Sequence, residues 1–195
     1  YLTPELREFC AGQFARLAER WVLVFSDVES DHLWRADLVD AGLDYVRTGA
    51  WVKVGSTPQF SGDRPATGFE AVTIAHPRGK KRWNGGGAHA LWSVPIVLNR
   101  SGKDPRWHTT QKPLPLMEQI VVQFTEPGEL VLDAFAGSGT TGIAAMRHAR
   151  KSILIERSEE HCESIVQRIG LETPRLDIDE TRSSGWATPT LEGIA

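Results

Sequence analysis

Glu129-Leu-Val-Leu-Asp-Ala-Phe-Ala-Gly-Ser-Gly-Thr-Thr141 carries three signals in immediate succession. Leu130 to Leu132 is a short apolar run and reads as a buried strand. Asp133-Ala-Phe-Ala-Gly-Ser-Gly139 is an acid followed by a glycine-rich turn, and Gly142-Ile-Ala-Ala-Met-Arg147 opens a helix. Strand, glycine turn and helix in that order is how open α/β sheets hold nucleotide-like cofactors at the carboxyl ends of their strands. Glycine lets the backbone approach a ligand closely, and free N–H groups at a helix start attract negative charge. Lys151-Ser-Ile-Leu-Ile-Glu156 reads as the next strand, again ending in an acid. Glu156 follows Gly139 by 17 residues, close to the ~20-residue spacing at which an acid receives ribose hydroxyls. A carboxylate there repels a 2′-phosphate, so a nucleoside with free hydroxyls is the predicted ligand. A solvated strand-end acid is the competing reading; strand, turn and acid occurring together favour the functional one.

The remainder of the chain supplies a scaffold for that unit. Thr3 caps and Pro4 opens a first helix carrying Leu6, Cys10, Phe14 and Leu17 and ending near Glu19. Trp21-Val-Leu-Val-Phe25 is a continuous apolar run, hence a strand buried on both faces. Ser26 and Asp27 follow it, and either border a cleft or only stop the strand. Ser30 caps a second helix. Tyr45–Lys53 and Phe69–His76 are strand-like, and the turn-rich Gly55–Pro65 connection has the length of a functional loop. Leu114, Met117, Val121 and Phe124 mark a helix before the glycine unit, and Ser158 caps a final one reaching about Gly170. The segment 171–195 is rich in Pro, Ser, Thr and acids and reads as an extended or disordered tail.

Composition bounds the function. With 195 residues and 41% apolar content the chain can build one cored domain. No apolar run approaches the ~18 residues of a membrane span, so a cytoplasmic protein without a membrane partner is expected. Cys10 and Cys162 read as reduced core residues, and the six histidines lack metal-ligand spacing, so no metal is expected. Between Pro77 and Trp107, Arg78, Lys80, Lys81, Arg82, Arg100, Lys103 and Arg106 face one acid, Asp104, with Trp83, Trp92 and Trp107 interleaved. That is either a nucleic-acid surface or a solvated loop with anchoring tryptophans, and composition does not choose between them.

Set beside His108-Thr-Thr-Gln-Lys-Pro-Leu-Pro-Leu-Met117, the glycine unit resembles the S-adenosylmethionine-dependent DNA amino-methyltransferases that modify adenine N6 or cytosine N4, in their β-class motif order. The resemblance covers about residues 1–170. Ser61-Gly-Asp-Arg-Pro65 and Lys80-Lys-Arg-Trp-Asn-Gly-Gly-Gly87 are similar to a phage or bacterial branch, with its restriction-modification enzymes. It implies a Rossmann-like methyltransferase sheet with helices on both faces. Residues 1–76 would form the catalytic-side half, 77–107 an inserted target-recognition region, and 108–170 the cofactor-binding half. Asp133, Ala134, Phe135, Gly137, Gly139 and Thr140 would line the S-adenosylmethionine site, Glu156 would take the ribose, and Thr109, Gln111 and Lys112 would lie beside the pocket. The family has proline where this chain has Ala134, which stiffens the turn less.

Double-stranded DNA would be the partner, and a homodimer is admitted. Arg78, Lys80, Lys81, Arg82, Trp83 and Asn84 would face the DNA, with Arg82 and Asn84 chemically suited to guanine and adenine edges; structural roles stay open for both. The family's catalytic signature, an Asp, Asn or Ser followed by Pro-Pro and an aromatic residue, does not occur in the 195 residues. In this motif order it precedes Leu2 with one or two strands. Catalysis is therefore expected of the whole enzyme and not of these residues alone. A non-catalytic DNA-binding or scaffold homologue is the alternative. A nicotinamide oxidoreductase would need a third glycine, and Ser138 lacks the frame of a nucleophile elbow.

Overall fold

A computed structural model describes residues 2–97, 107 and 110–172. In chain order these are α1 (Pro4–Leu17), β1 (Val22–Ser26), α2 (Asp31–Asp40), β2 (Asp44–Val54), β3 (Phe69–His76), β4 (Leu91–Pro95), α3 (Leu114–Phe124), β5 (Leu130–Asp133), α4 (Thr140–Arg147), β6 (Lys151–Leu154) and α5 (Glu159–Glu172). Four strands form one sheet in the order β1-β3-β2-β4, and β5 and β6 form a parallel pair. β3 runs antiparallel to both β1 and β2, whereas β4 is parallel to β2. β1, β2 and β4 therefore share one direction. Arg20, just before β1, donates from Nη1 to both carboxylate oxygens of Glu129, just before β5, at 2.7–2.8 Å. The two sheets thus start from the same side, and their carboxyl ends form one edge.

The α/β character follows from period-2 patterning between two helical layers. Val22 and Val24 of β1 and Ala75 of β3 turn towards α1 and α2, packing with Ala11, Trp34 and Leu38. Leu23 and Phe25 turn the other way, where Val72, Ile74, Trp51, Trp92 and Val94 meet α3. β1 is therefore covered on both faces, as its unbroken apolar run requires. α3 is apolar nearly all round because it is sandwiched: Leu114, Leu116, Met117, Ile120, Val121 and Phe124 are all buried between the sheet and α4. α3 and α4 lie side by side in the same sense, since Arg147 pairs with Glu118 and Arg150 donates to Thr125 beyond the end of α3.

Two expectations need correction. Ser30 makes no side-chain cap; its backbone N–H donates instead to the Asp27 carboxylate at 2.7 Å, three residues back, the reach by which a capping acid takes a first-turn N–H. β5 is not buried: Leu130 and Leu132, with Ile153 and Ile155 alongside, leave an exposed apolar face opposite α4. Within 77–107, Leu91–Pro95 pairs with Ala50–Val54 as β4 and delivers Trp92 and Val94 to the core. The basic residues around that strand masked a short alternating pattern. The two cysteines are free and only half-buried. No helix among the described residues is long and apolar enough to cross a membrane.

β2 and β4 approach closely at Gly49, where an added Cβ would sit 2.7 Å from the Ala90 carbonyl oxygen and 2.9 Å from the Trp92 ring. The obstacle is backbone and a fully packed indole, so relief requires the strands to separate. Gly49→Ala is expected to cost about 1–3 kcal/mol in urea unfolding. Gly12→Ala, in α1 with open space around it, should instead stabilise by about 0.5–1 kcal/mol; equal effects at the two sites would refute the close-approach account.

Candidate cofactor edge

β5 ends in Asp133 and β6 runs towards Glu156, side by side in parallel register with Asp133 opposite Leu154. Between them the chain turns through Gly137 (φ 52°) and Gly139 (φ 73°), a left-handed backbone that side-chain-bearing residues resist. Gly139 is also closed in on the far side, where an added Cβ would stand 3.0 Å from Ile165. The turn is fastened to β6 by Ile155 N–H donating to the Asp133 carbonyl and Ala136 N–H donating to the Ile155 carbonyl. Asp133 holds the turn from below: its carboxylate accepts from Phe135 N–H at 3.0 Å and from the Thr141 hydroxyl at 2.5 Å. Thr140, buried, then begins α4. Ala134 is half-buried and Phe135 exposed at the rim.

Glu156 completes the edge. Its two oxygens accept from Gly137 N–H and Ser158 N–H, each at 2.9 Å, and His161 Nδ1 lies 3.8 Å away. Burial pushes its carboxyl up, but the N–H groups of Ser158, Gly137 and Arg157, with His161, outweigh that and hold it below the ordinary glutamate range. It is therefore an anion at neutral pH. Each oxygen retains a lone pair, enough to accept two hydroxyls. Ser158 caps α5 as the sequence suggests, its Oγ accepting from His161 N–H at 3.4 Å.

Gln111 and Lys112 come to the same edge, because they lead into α3 and α3 starts beside α4. Gln111 is buried, its Oε1 accepting from Trp107 N–H at 2.7 Å. Lys112 Nζ lies 3.0 Å from Glu70 and over the rings of Phe25 and Trp51. Thr109 lies outside the described residues. The sequence reading missed Arg168 of α5. Its buried Nη1 donates to the Ser138 carbonyl at 2.9 Å, Ser138 Oγ at 3.2 Å and Thr140 Oγ1 at 2.8 Å, bracing the turn from behind. An arginine in register with Ile165 on an amphipathic helix was the available signal.

The basic segment is placed elsewhere. β3 ends at the amino edge, and residues 77–87 follow it there, on the opposite side of the sheet from the glycine turn. The Arg82 carbonyl accepts from Arg20 and Trp21, and its guanidinium pairs with Glu126 at 2.8 Å. Trp83 packs edge-on against Phe124, while Asn84 Nδ2 donates to the carbonyls of Val122 and Thr125 at the end of α3. These three tie the segment to the core, and the Arg82 side chain stays 72% exposed while doing so. Arg78 and Lys80 are exposed, Lys81 is half-buried, and none of them forms an ion pair with the described residues. Among the described residues no three His, Cys, Asp or Glu side chains converge in a way that could hold a metal.

A family model described as DNA methylase, of the N6/N4 type, matches residues 31–167, more than half of the chain. The chain belongs to this family. The putative methylase YubD of Escherichia coli K12 is 38% identical to this chain over 76 residues, covering 39% of this chain and 34% of YubD. The type II methyltransferase M2.MboI of Moraxella bovis is 41% identical over 86 residues, covering 44% and 31%. The matched stretch is thus about a third of the length of these two relatives. The crystal structure of the M1.HpyAVI–SAM complex superposes with a TM-score of 0.73 at 28% identity, covering 85% of this chain and 82% of that chain.

Because the Glu156 pKa is depressed on folding, its contribution to stability is present above the unfolded value and disappears as pH falls through the folded one. Glu156→Gln should be less stable than the native chain by about 1–2 kcal/mol at neutral pH. The gap should narrow as pH falls below the ordinary glutamate range and close once Glu156 is protonated in the folded protein. Denaturant titrations of both proteins across this range check it; a gap that persists in acid would show that the carboxylate charge is not what the N–H groups hold.

Proposed function

We propose that the protein takes part in transfer of a methyl group from S-adenosylmethionine to the exocyclic amino group of adenine (N6) or cytosine (N4) in double-stranded DNA. The observation that carries this is the Asp133–glycine turn–Glu156 edge within a chain of the DNA methylase family. The group fits the residues present. Positive-φ glycines give a backbone that a ligand can approach, Glu156 is ionised with lone pairs free for ribose hydroxyls, and α4 presents its first N–H groups. When bound, S-adenosylmethionine supplies an electrophilic methyl group. Glu156 would orient the ribose and exclude ligands phosphorylated at that position, and Phe135 would cover the rim. Gln111 and Lys112 would border the other side of the pocket, with Thr109 beside them.

A base inside a duplex is out of reach of this edge, so it must be extruded at a cost of a few kcal/mol. The loop joining β2 to β3, residues 55–68, rises from the edge that carries the turn and is the segment placed to meet the extruded strand. Arg78, Lys80 and Lys81 would act at a distance from the reaction, on backbone phosphates. β1 and β5 each have one edge unpaired among the described residues, and both start from the Arg20–Glu129 pair.

The test is to incubate the full-length protein with unmodified DNA and S-adenosylmethionine, digest to nucleosides and analyse by mass spectrometry. N6-methyladenine or N4-methylcytosine is the expected product and names the base. Binding of S-adenosylmethionine without either product would favour a non-catalytic DNA-binding homologue or another substrate. If the basic segment holds phosphates, the double substitution Lys80→Ala, Lys81→Ala should weaken DNA binding irrespective of sequence. It should also reduce the salt dependence of log Kd by about 1 per lost contact.

A further inference from the structure

Lys53 at the end of β2, Glu70 at the start of β3 and Lys112 before α3 form an ion network that none of the site's other residues requires. Glu70 Oε1 lies 2.8 Å from Lys53 Nζ, and its Oε2 lies 3.0 Å from Lys112 Nζ. The three side chains are 20–26% exposed, so they are neither a loose surface pair nor sealed in the core. Sheet register explains why they meet. Glu70 pairs with Trp51 across the β2–β3 ladder, and Trp51 is pinned by its indole N–H donating to the Val94 carbonyl at 2.9 Å. Both ammonium groups lie over the Trp51 ring, at 5.4 and 5.7 Å, and Lys112 also lies 5.3 Å from the centre of Phe25. One carboxylate and two aromatic faces thus fix two flexible lysines at the carboxyl edge, with one net positive charge left over.

That edge is where α3 and α4 both begin, and α4 begins with the glycine turn. Glu156 brings a negative charge to the ribose side of this edge, so an anionic end of the same ligand is repelled there and attracted towards the lysines. We propose that Glu70 is a positioning residue that holds Lys112, with Lys53 behind it, to receive the α-carboxylate of the cofactor's amino-acid end. The proposal rests on the S-adenosylmethionine reading above. A free lysine loses rotamer entropy on engaging an anion, and Glu70 removes that loss in advance.

The test compares two ligands by calorimetry on the full-length protein: S-adenosylhomocysteine, which has the amino-acid end, and 5′-methylthioadenosine, which lacks it. Glu70→Gln should weaken S-adenosylhomocysteine binding about tenfold, the scale of one charge-assisted hydrogen bond, and leave 5′-methylthioadenosine within about twofold. Glu70→Asp should recover part of the loss. Equal weakening of both ligands would overturn the proposal, since Glu70 would then only hold the sheet together. So would unchanged or tighter S-adenosylhomocysteine binding, because removal of a negative charge would then outweigh positioning. A loss confined to DNA affinity would assign Lys112 to a phosphate and also overturn it. If the unsubstituted protein binds neither ligand, the cofactor reading itself has failed, a result distinct from a failure of Glu70.

Discussion

Between the four-stranded sheet and the β5–β6 pair, no ladder of backbone hydrogen bonds runs among the described residues. Everything at the cofactor edge depends on how these two parts are nevertheless kept in register. Two links are available. The Arg20–Glu129 pair ties the starts of β1 and β5, with side chains 20% and 36% exposed. Burial pushes the Glu129 carboxyl up, and Arg20, the Glu126 N–H and Arg150 more than reverse this. Even so, a pair this open contributes on the order of 1 kcal/mol or less. The second link is α3, which buries six apolar side chains between the sheet and α4, each worth about 1.5–3 kcal/mol relative to exposure. Packing of α3 therefore dominates, and the ion pair sets direction more than strength.

This hierarchy explains why residues leading into α3 are fixed relative to both sheets. α3 is the rigid body through which both sheets are referenced, so its first turn has a fixed position relative to the glycine turn and to the ends of β1 and β2. Gln111 is buried there and Lys112 is held by Glu70 and two rings. At its other end α3 receives Asn84, Trp83 and Arg150. One helix thus fixes Gln111 and Lys112 at one edge and the anchoring groups at the other.

What the sequence disclosed about this arrangement divides along the range of the interactions. The β5–turn–α4–β6 unit is legible because its logic is local: glycines at 137 and 139 meet the positive φ, and acids close two successive strands. β1 was legible for the same reason, its apolar run announcing cover on two faces. Long-range partners were not legible. Asn84 has the chemistry to read adenine, but the carbonyls that occupy it come from residues 122 and 125, about 40 positions later. β4 was hidden because a five-residue alternation is a weak signal inside a strongly basic segment. Arg168 and Glu70 act across 28–42 residues of sequence, and no spacing rule links them to Thr140 or Lys112. The exposure of Leu130 and Leu132 escaped notice because an apolar run states that a face wants cover and not what provides it.

The placement of charge carries the argument one step further. At the carboxyl edge Glu156 is held ionised by backbone N–H groups and Asp133 is engaged within the turn. Arg78 and Lys80, which form no ion pair among the described residues, stand at the amino edge. The Lys53–Glu70–Lys112 network adds one net positive charge to the carboxyl edge. That edge therefore presents both signs of charge side by side, and a ligand charged at one end only is oriented by it.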